Sequence, residues 1–433
     1  MCGSDHSAER RHDAVTRKPS ETDEQFWSSR LVPRIRTYME GIGSYTPEDL
    51  ESHVSAFAAL VKVLGPKYPH PCGTLPTLTW NCMPIEISIN LSEGRNPAVR
   101  YYLEALGAET ATEHDPFGEA SIPSNLALLS SNMTSVDMTW PQRLRETFCL
   151  DNELERKAVT NLLQPPRDPP MVAFPHYYGV DNAGPQRSMK FTVSPPLKFL
   201  AGGGELRNIV PDYNYLQPEA PPSQRPGGAT ATMCATCVES GRPKPVLGLV
   251  SVDCADPATA RIKLYTRIKC TAFACMRDIV TLGGRLTDDE TLEGLRRLRS
   301  IWPLLLNDPA SGGDESYQRP LRDPSTWRHG EGIMVSFELS ARFSRPEVKL
   351  YAPLYQCHAH DVEIIKSLNR VFATLGWNKW EGYRYERLLR DVNPGINLQT
   401  TCTHTFASFC YYKKQGSYLT IYYTLPKELI NSN

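Results

Sequence analysis

The sequence predicts an α+β fold in which helices alternate with pairs of antiparallel strands. Segments in which apolar and polar residues alternate come in consecutive pairs joined by short turns, which is typical of antiparallel pairing. Segments with apolar residues at helical spacing separate these pairs. The order helix, strand pair, helix, strand pair recurs about five times along the chain. We expect a single domain over residues 26–425, preceded by a disordered tail over residues 1–25.

The helices carry ordinary start and stop signals. Thr46 and Pro47 begin a helix whose apolar residues share one face and which stops at Gly65. A further helix is expected to open at Thr287, and another to be capped by Asp361. We interpret their apolar faces as cover for a sheet.

The predicted strands lie at residues 85–90, 99–104, 190–193, 247–252, 261–265, 333–339, 348–351, 406–411 and 418–423. Their period of two assigns the side chains to two faces, one of them aliphatic, as in Ile262 and Leu264. The other face is rich in cations and phenols: Arg261, Lys263 and Tyr265; Lys349 and Tyr351; Tyr418 and Tyr422; Arg100 and Tyr102; Lys190 and Thr192.

A polar face exposed to water would explain any one of these strands. Lysine or arginine alternating with tyrosine in strands far apart in sequence favours a different structure, in which the sheet closes and the polar faces line a lumen. Such a lumen suits a small anion with an apolar, cation-forming tail, which describes a prenyl diphosphate. Lysine and arginine neutralise the diphosphate, while tyrosine faces stabilise an allylic cation by about 0.5–2 kcal/mol each and exclude water.

Several other classes of function are disfavoured. The formal net charge of -1 gives no general basic field for nucleic acid or a membrane surface. The N-terminus lacks a secretory h-region and no apolar run is long enough to span a membrane, so a cytoplasmic location with reduced cysteines is expected. Asp288, Asp289 and Glu290 are interpreted as a helix start rather than a magnesium motif. We therefore expect no metal and no cofactor.

The chain resembles the fungal aromatic prenyltransferases of the dimethylallyl tryptophan synthase type from about Phe26 to Tyr423. The similarity is carried by short segments that occur in the family's order: residues 84–88, 99–101, 261–265, 276–284, 349–354 and 418–422. It implies a ten-stranded antiparallel β-barrel surrounded by α-helices and built from repeated α-β-β-α units. It also implies transfer of a prenyl group from its diphosphate to an aromatic small molecule.

The resemblance implies a role for each residue of the polar faces. Diphosphate binding is expected of Arg100, Lys190, Arg261 and Lys263, and shielding of the cation is expected of Tyr265, Tyr351, Tyr418 and Tyr422. Glu86 is expected to accept a hydrogen bond from the acceptor's N–H or O–H.

The chain also departs from the family pattern. Lys349 stands where the family commonly has a glutamine, and it is a further candidate diphosphate ligand. Near the C-terminus, the diphosphate-binding role of a family arginine is expected of either Tyr412 or Lys413. Thr192, in place of a tyrosine, leaves room in the substrate pocket for a longer tail such as geranyl. Where indole-modifying relatives often carry a lysine, the chain has residues 173–178, so His176, Tyr177 or a water chain become candidates for removing the ring proton.

The acceptor is therefore expected to be a hydroxylated, polyketide-derived aromatic compound. The alternatives are an indole, tryptophan-derived or cyclic dipeptide acceptor, or a catalytically silent binder with the same fold. A homodimer is left open.

Overall fold

The computed structural model describes residues 21–67, 76–107, 109–110, 112, 114–150, 152–162, 176–202, 246–308, 313–322, 332–340, 342, 346–380 and 382–431. Its strands are β1 (Ile85–Ser92), β2 (Ala98–Leu103), β3 (His176–Ala183), β4 (Gln186–Val193), β5 (Val246–Asp253), β6 (Arg261–Ile268), β7 (Ile333–Ser340), β8 (Glu347–Pro353), β9 (His404–Tyr412) and β10 (Gly416–Tyr423). Its helices are α1 (Asp23–Ile42), α2 (Pro47–Leu60), α3 (Ile122–Ser130), α4 (Thr139–Phe148), α5 (Glu153–Leu162), α6 (Pro196–Gly202), α7 (Phe273–Val280), α8 (Asp289–Leu305), α9 (Leu354–Cys357), α10 (Asp361–Leu375), α11 (Tyr383–Val392) and α12 (Glu428–Asn431).

The strands close into a barrel. Consecutive strands pair in antiparallel fashion, and β1 completes the barrel by pairing with β10. At this closure Ser88 lies opposite Tyr422 of β10 on one side and Arg100 of β2 on the other. The helices lie in sequence between the strand pairs and cover the outside. These features confirm the predicted α+β fold and its ten-stranded antiparallel barrel.

Period-two alternation divides every strand between two environments. The aliphatic face packs outward in one large core, where strand residues such as Ile262 join helix residues such as Phe57 and Leu298. The other face points into the barrel. There, a separate cluster of buried aromatic side chains forms from Tyr265, Tyr351, Tyr355 and Phe406.

Capping residues set the helix starts, and two of the predicted caps differ from those in the structure. Thr46 caps α2 as predicted, its side chain accepting a hydrogen bond from the Asp49 N–H. Asp288, rather than Thr287, caps α8. His360 caps α10, while Asp361 is its first residue and accepts hydrogen bonds from the chain just before β9.

The first helix also begins earlier than predicted. Thr22 caps α1 in a reciprocal capping box with Gln25, so the helix starts inside the tail expected over residues 1–25. Residues 1–20 lie outside the described residues. Among the helices that the structure describes, none is long and apolar enough to cross a membrane.

Strand β3 was not predicted. It pairs with β2 on one side and β4 on the other, so it brings His176, Tyr177 and Tyr178 into the barrel wall. Along it, Tyr177 lies opposite Thr192 and Gly179 opposite Lys190.

Candidate active site

The inward side chains of the even-numbered strands share one order. Because alternate strands of an antiparallel barrel run in the same direction, equivalent positions on these strands lie at the same end. A cation is followed two residues later by a tyrosine in three of them: Arg100 and Tyr102 on β2, Lys263 and Tyr265 on β6, Lys349 and Tyr351 on β8. We call the set Arg100, Lys190, Arg261, Lys263 and Lys349 the cationic end. The structure therefore brings these five predicted diphosphate ligands together.

The cationic end also holds carboxylates that sequence reasoning missed: Asp181 on β3, Asp253 on β5 and Glu338 on β7. Lys190 Nζ lies 2.5 Å from an Asp181 carboxylate oxygen, and Arg261 Nε lies 2.7 Å from one of Asp253. For Glu338 the available signal was the same alternation, which places it on the polar face of the predicted strand 333–339, whereas Asp181 and Asp253 lie outside the predicted strands.

Glu338 is the most highly connected of these carboxylates. It is fully buried, and its carboxylate lies 2.9 Å from Lys349 Nζ, 3.2 Å from Arg261 Nη1 and 3.4 Å from Lys263 Nζ. Burial favours the neutral acid, but the three cations hold the pKa of Glu338 well below its usual range. Burial and repulsion by Arg261 lower the pKa of Lys263 to about 7. The protein's own carboxylates thus hold these cations in place.

One layer further into the barrel lies a group of phenols, the tyrosine layer, formed by Tyr102, Tyr265, Tyr351 and Tyr422. The ring centroids of Tyr265 and Tyr351 are 6.1 Å apart, and those of Tyr351 and Tyr422 are 5.8 Å apart. Burial raises the pKa of Tyr351 to about 12, so its phenol is neutral. The layer presents aromatic faces rather than phenolate charges.

On one side of each of these tyrosines, the neighbouring odd-numbered strand carries a small residue. Ser88 lies opposite Tyr422, Ser336 opposite Tyr265, and Ser408 opposite Tyr351. Gly179 lies opposite Tyr102, where a Cβ atom would come within 2.7 Å of the tyrosine ring. On their other sides Tyr102, Tyr265 and Tyr351 pair with the larger residues Glu86, Leu249 and Met334, so the space beside these rings lies on the side of the small residue.

Tyr418 occupies a different position from the other predicted shielding residues. Lys349 Nζ lies 4.9 Å from its ring centroid, and Arg100 Cζ lies 5.9 Å from it. Tyr418 is therefore part of the cationic end, where its face contacts the ligands expected for a diphosphate.

Glu86 lies on β1, where it pairs with Tyr102. Its side chain is buried, and Thr405 Oγ1 donates a hydrogen bond of 2.6 Å to its carboxylate. Burial raises the pKa of Glu86 to about 7, although the Thr405 hydrogen bond and the charge of Arg267 oppose the rise. Arg267 also lies over the Phe406 ring, 5.6 Å from its centroid. We call this region, beyond the tyrosine layer, the Glu86 end.

Aromatic side chains line the Glu86 end. Trp80 stacks on Tyr355 with an interplanar angle of 7° and 5.8 Å between centroids, and Tyr355 meets Phe406 edge to face at 5.6 Å. Flat rings arranged in this way suit a planar aromatic ligand. Thr192, a predicted pocket residue, is buried on β4, and its hydroxyl donates to Ser251 Oγ at 2.8 Å.

The structure places His176 and Tyr178 on one face of β3 and Tyr177 on the other. His176 pairs with Val193 and Tyr178 with Phe191, so both face outward, and their rings meet each other at 5.5 Å beneath the helices. Burial lowers the pKa of His176 to about 3. The prediction that His176 removes the ring proton is corrected by this outward position, whereas Tyr177 faces the lumen.

Lys413 needs a similar correction. It is exposed in the turn between β9 and β10, where its backbone N–H donates to Glu290 at 2.6 Å. Tyr412, the alternative at this place, points inward, with its ring 5.8 Å from that of Tyr418. Burial raises the pKa of Tyr412, although the charge of Lys349 opposes the rise. Tyr412, not Lys413, therefore reaches the cationic end.

The lumen is thus chemically polarised. Cations at one end can bind and stabilise an anion, buried phenol faces follow, and a hydrogen-bond acceptor with flat aromatic walls stands beyond them. Within the part of the chain that the structure describes, no group of three or more histidine, cysteine, aspartate or glutamate side chains is arranged to hold a metal ion.

Comparison with known proteins gives one family. A family model described as tryptophan dimethylallyltransferase matches residues 23–387. The chain is 30% identical to the indole prenyltransferase tdiB of Emericella nidulans, over 93% of this chain and 95% of the relative. It is 29% identical to the indole diterpene prenyltransferase terF of Tolypocladium album, over 93% of each. It is 28% identical to the 7-dimethylallyltryptophan synthase hasE of Aspergillus fumigatus, over 84% of this chain and 77% of the relative.

Solved structures share the fold. AnaPT from Neosartorya fischeri matches with a TM-score of 0.77 and 22% identity, covering 94% of both chains. NotF in complex with brevianamide F and DMSPP matches with a TM-score of 0.74 and 23% identity, covering 95% of this chain and 96% of that one.

Proposed function

We propose that this chain, which belongs to the tryptophan dimethylallyltransferase family, transfers a dimethylallyl group from its diphosphate to an indole-bearing metabolite larger than free tryptophan. That it is an aromatic prenyltransferase follows from its family and relatives. The donor, the acceptor and the residue roles are the proposed part. The observation that carries them is the order along the lumen: the cationic end, the tyrosine layer and the Glu86 end.

The cationic end is proposed to bind the diphosphate. As the allylic C–O bond breaks, negative charge grows on the leaving diphosphate, and the five cations oppose it directly. We propose on this basis that transfer needs no metal ion. The charge that a metal would supply is proposed to come from Arg100, Lys190, Arg261 and Lys349, and from Lys263 below its pKa of about 7.

The tyrosine layer is proposed to hold the allylic cation. Neutral phenol faces attract a cation and keep water from quenching it. The small residue on one side of each ring is proposed to leave space for the prenyl tail. Thr192 adds room at the same level of β4, so geranyl diphosphate is the longer donor to compare with dimethylallyl diphosphate.

Glu86 is proposed to accept a hydrogen bond from the indole N–H. This contact raises the electron density of the ring as its carbon attacks the allylic cation. The names of the relatives favour an indole acceptor over the hydroxylated polyketide expected from the sequence. The aromatic walls around Trp80 and Tyr355 favour a neutral planar acceptor, because the ammonium and carboxylate of free tryptophan would each need a buried partner.

An acceptor panel tests this proposal. The purified chain is incubated with dimethylallyl or geranyl diphosphate and with a tryptophan-containing cyclic dipeptide, L-tryptophan or a hydroxylated aromatic polyketide, and products are detected by mass spectrometry. We expect the highest kcat/KM for the dimethylallyl donor with the cyclic dipeptide. Preference for the polyketide or for free tryptophan would refute the acceptor class, and no product with any pair would refute the proposed function.

A further inference from the structure

Three side chains form a continuous hydrogen-bonded chain at the Glu86 end. The Tyr177 hydroxyl lies 2.8 Å from Thr77 Oγ1, and Thr77 Oγ1 lies 3.1 Å from Glu104 Oε1. Glu104 is fully buried, directly after the end of β2. The mechanism above assigns no role to Thr77 or Glu104.

The surroundings of Glu104 determine which group donates in each of these hydrogen bonds. The backbone N–H groups of Thr77 and Leu78 both donate to its carboxylate, at 2.8 and 2.7 Å. A carboxylate that receives these donors acts as an acceptor, so the Thr77 hydroxyl donates to it. The Thr77 oxygen then accepts from the Tyr177 hydroxyl, which leaves the lone pairs of the Tyr177 oxygen for a group in the lumen.

The strand register places these hydrogen-bonded side chains beside the proposed acceptor site. Tyr178 pairs with Leu103 on β2, so Tyr177 comes next to Glu104, and Glu86 pairs with Tyr102 on the other side of the same strand. Burial raises the pKa of Tyr177, and the charges of Glu104, Arg267 and Glu86 all act on it. Tyr177 and Glu86 therefore share one end of the lumen.

We propose that Tyr177, Thr77 and Glu104 form the relay that removes the ring proton after prenyl transfer. The inference rests on the proposed function. When the ring carbon has bonded to the prenyl group, the Tyr177 oxygen takes its proton, and the C–H electron pair returns to the ring. At the same time the Tyr177 O–H proton passes to Thr77 Oγ1, and the Thr77 proton passes to Glu104. The phenol and the alcohol end unchanged, and Glu104 ends as the neutral acid.

The basicity of Glu104 suits this task. Burial raises its pKa to about 8, although the hydrogen bonds from Leu78 and Thr77 oppose the rise. Its carboxylate, the main form above about pH 8, is therefore a stronger base than that of an ordinary glutamate, and it is fully buried. Tyr177 is the member that contacts the reacting ring, while Thr77 and Glu104 act through it.

An isotope effect separates this role from a structural one. Transfer to the best indole acceptor is compared for the ordinary compound and for one deuterated at all carbon positions of the indole ring. In the wild type we expect no isotope effect, because the relay makes proton removal fast. In Tyr177→Phe and in Thr77→Val, each of which removes one hydroxyl, proton removal should limit the rate. We expect transfer to fall by about tenfold or more and a primary isotope effect to appear.

Tyr178→Phe is the matched control, since it makes the same change at the next residue, on the outward face. It should keep the wild-type rate and show no isotope effect. Wild-type rates without an isotope effect in Tyr177→Phe would overturn the relay, as would a product joined through the indole nitrogen. Wild-type protein that transfers no prenyl group to any indole would refute the proposed function instead.

Discussion

The role proposed for Glu86 needs a charged carboxylate, whereas its buried position favours the neutral acid. The hydrogen bond proposed between Glu86 and the acceptor needs the carboxylate form, but burial raises the pKa of Glu86 to about 7. Thr405 holds the carboxylate by a 2.6 Å hydrogen bond that favours the charged form. Thr405 is therefore expected to position Glu86 and to set the pH at which it becomes active.

Replacing this hydroxyl should shift the pH dependence of the reaction. In Thr405→Val the hydrogen bond to the ionised form is lost, so the pKa of Glu86 rises further. The acid limb of the kcat/KM profile, expected near pH 7 in the wild type, should then move up by about one pH unit. At pH 9 the rates should converge. Thr405→Ser, which keeps the hydroxyl, should restore the wild-type profile, and an unshifted limb in Thr405→Val would rule out this role.

At the scale of elements, three neighbouring strands build the central ion cluster. Arg261 and Lys263 come from β6, Glu338 from β7 and Lys349 from β8. Glu338 is a permanent negative charge among the ligands proposed for the diphosphate. It orders the cations but competes with the diphosphate for them, which should assist release of the product.

Removing the Glu338 charge should therefore tighten diphosphate binding. For Glu338→Gln we expect inorganic diphosphate to bind about tenfold more tightly than to the wild type, measured by titration calorimetry on protein whose fold is checked by circular dichroism. Glu347→Gln removes a carboxylate opposite Glu338 in the register. Within the described residues Glu347 makes no ion pair, so this control should change the affinity much less. Weaker binding to folded Glu338→Gln would show that ordering of the cations outweighs competition.

The strands show which secondary structure the alternation of polar and apolar residues could predict. Strands with one aliphatic and one polar face, such as β6 and β8, were predicted because alternation is strong there. Strand β3 was missed because aromatic and polar residues occur on both of its faces and Gly179 argues against a strand. That glycine is explained only by the structure, since the Tyr102 ring of the neighbouring strand occupies the space of a side chain.

At the scale of the whole molecule, the alternation of polar and apolar residues predicted a lumen but not all of the side chains that line it. A period of two shows which side chains share a face, and it placed the cations and tyrosines correctly. It does not show which carboxylates from other strands meet them, so Asp181, Asp253 and Glu338 were missed. It also could not fix the strand number, which came from the family resemblance. His176 and Lys413 were misplaced because the phase of β3 and the end of β9 depend on the closed barrel.

The internal cations predict that transfer proceeds without a metal. Because five cations face the proposed diphosphate site, turnover with dimethylallyl diphosphate and an indole acceptor should be unchanged in excess EDTA. The measurement compares initial rates of treated protein with and without added magnesium. Loss of all activity in EDTA, restored only by magnesium, would show that the cationic end does not suffice.

The division of the lumen into a cationic end and a Glu86 end is tested most directly by one variant, Glu86→Ala, measured in two ways. Binding of the donor analogue dimethylallyl thiolodiphosphate (DMSPP) is titrated, and transfer to the best indole acceptor is measured on the same preparation. We predict that the analogue binds within about twofold of the wild type, because the cations are untouched, while transfer falls by about a hundredfold or more. Transfer at the wild-type rate, or loss of analogue binding together with transfer, would contradict the account.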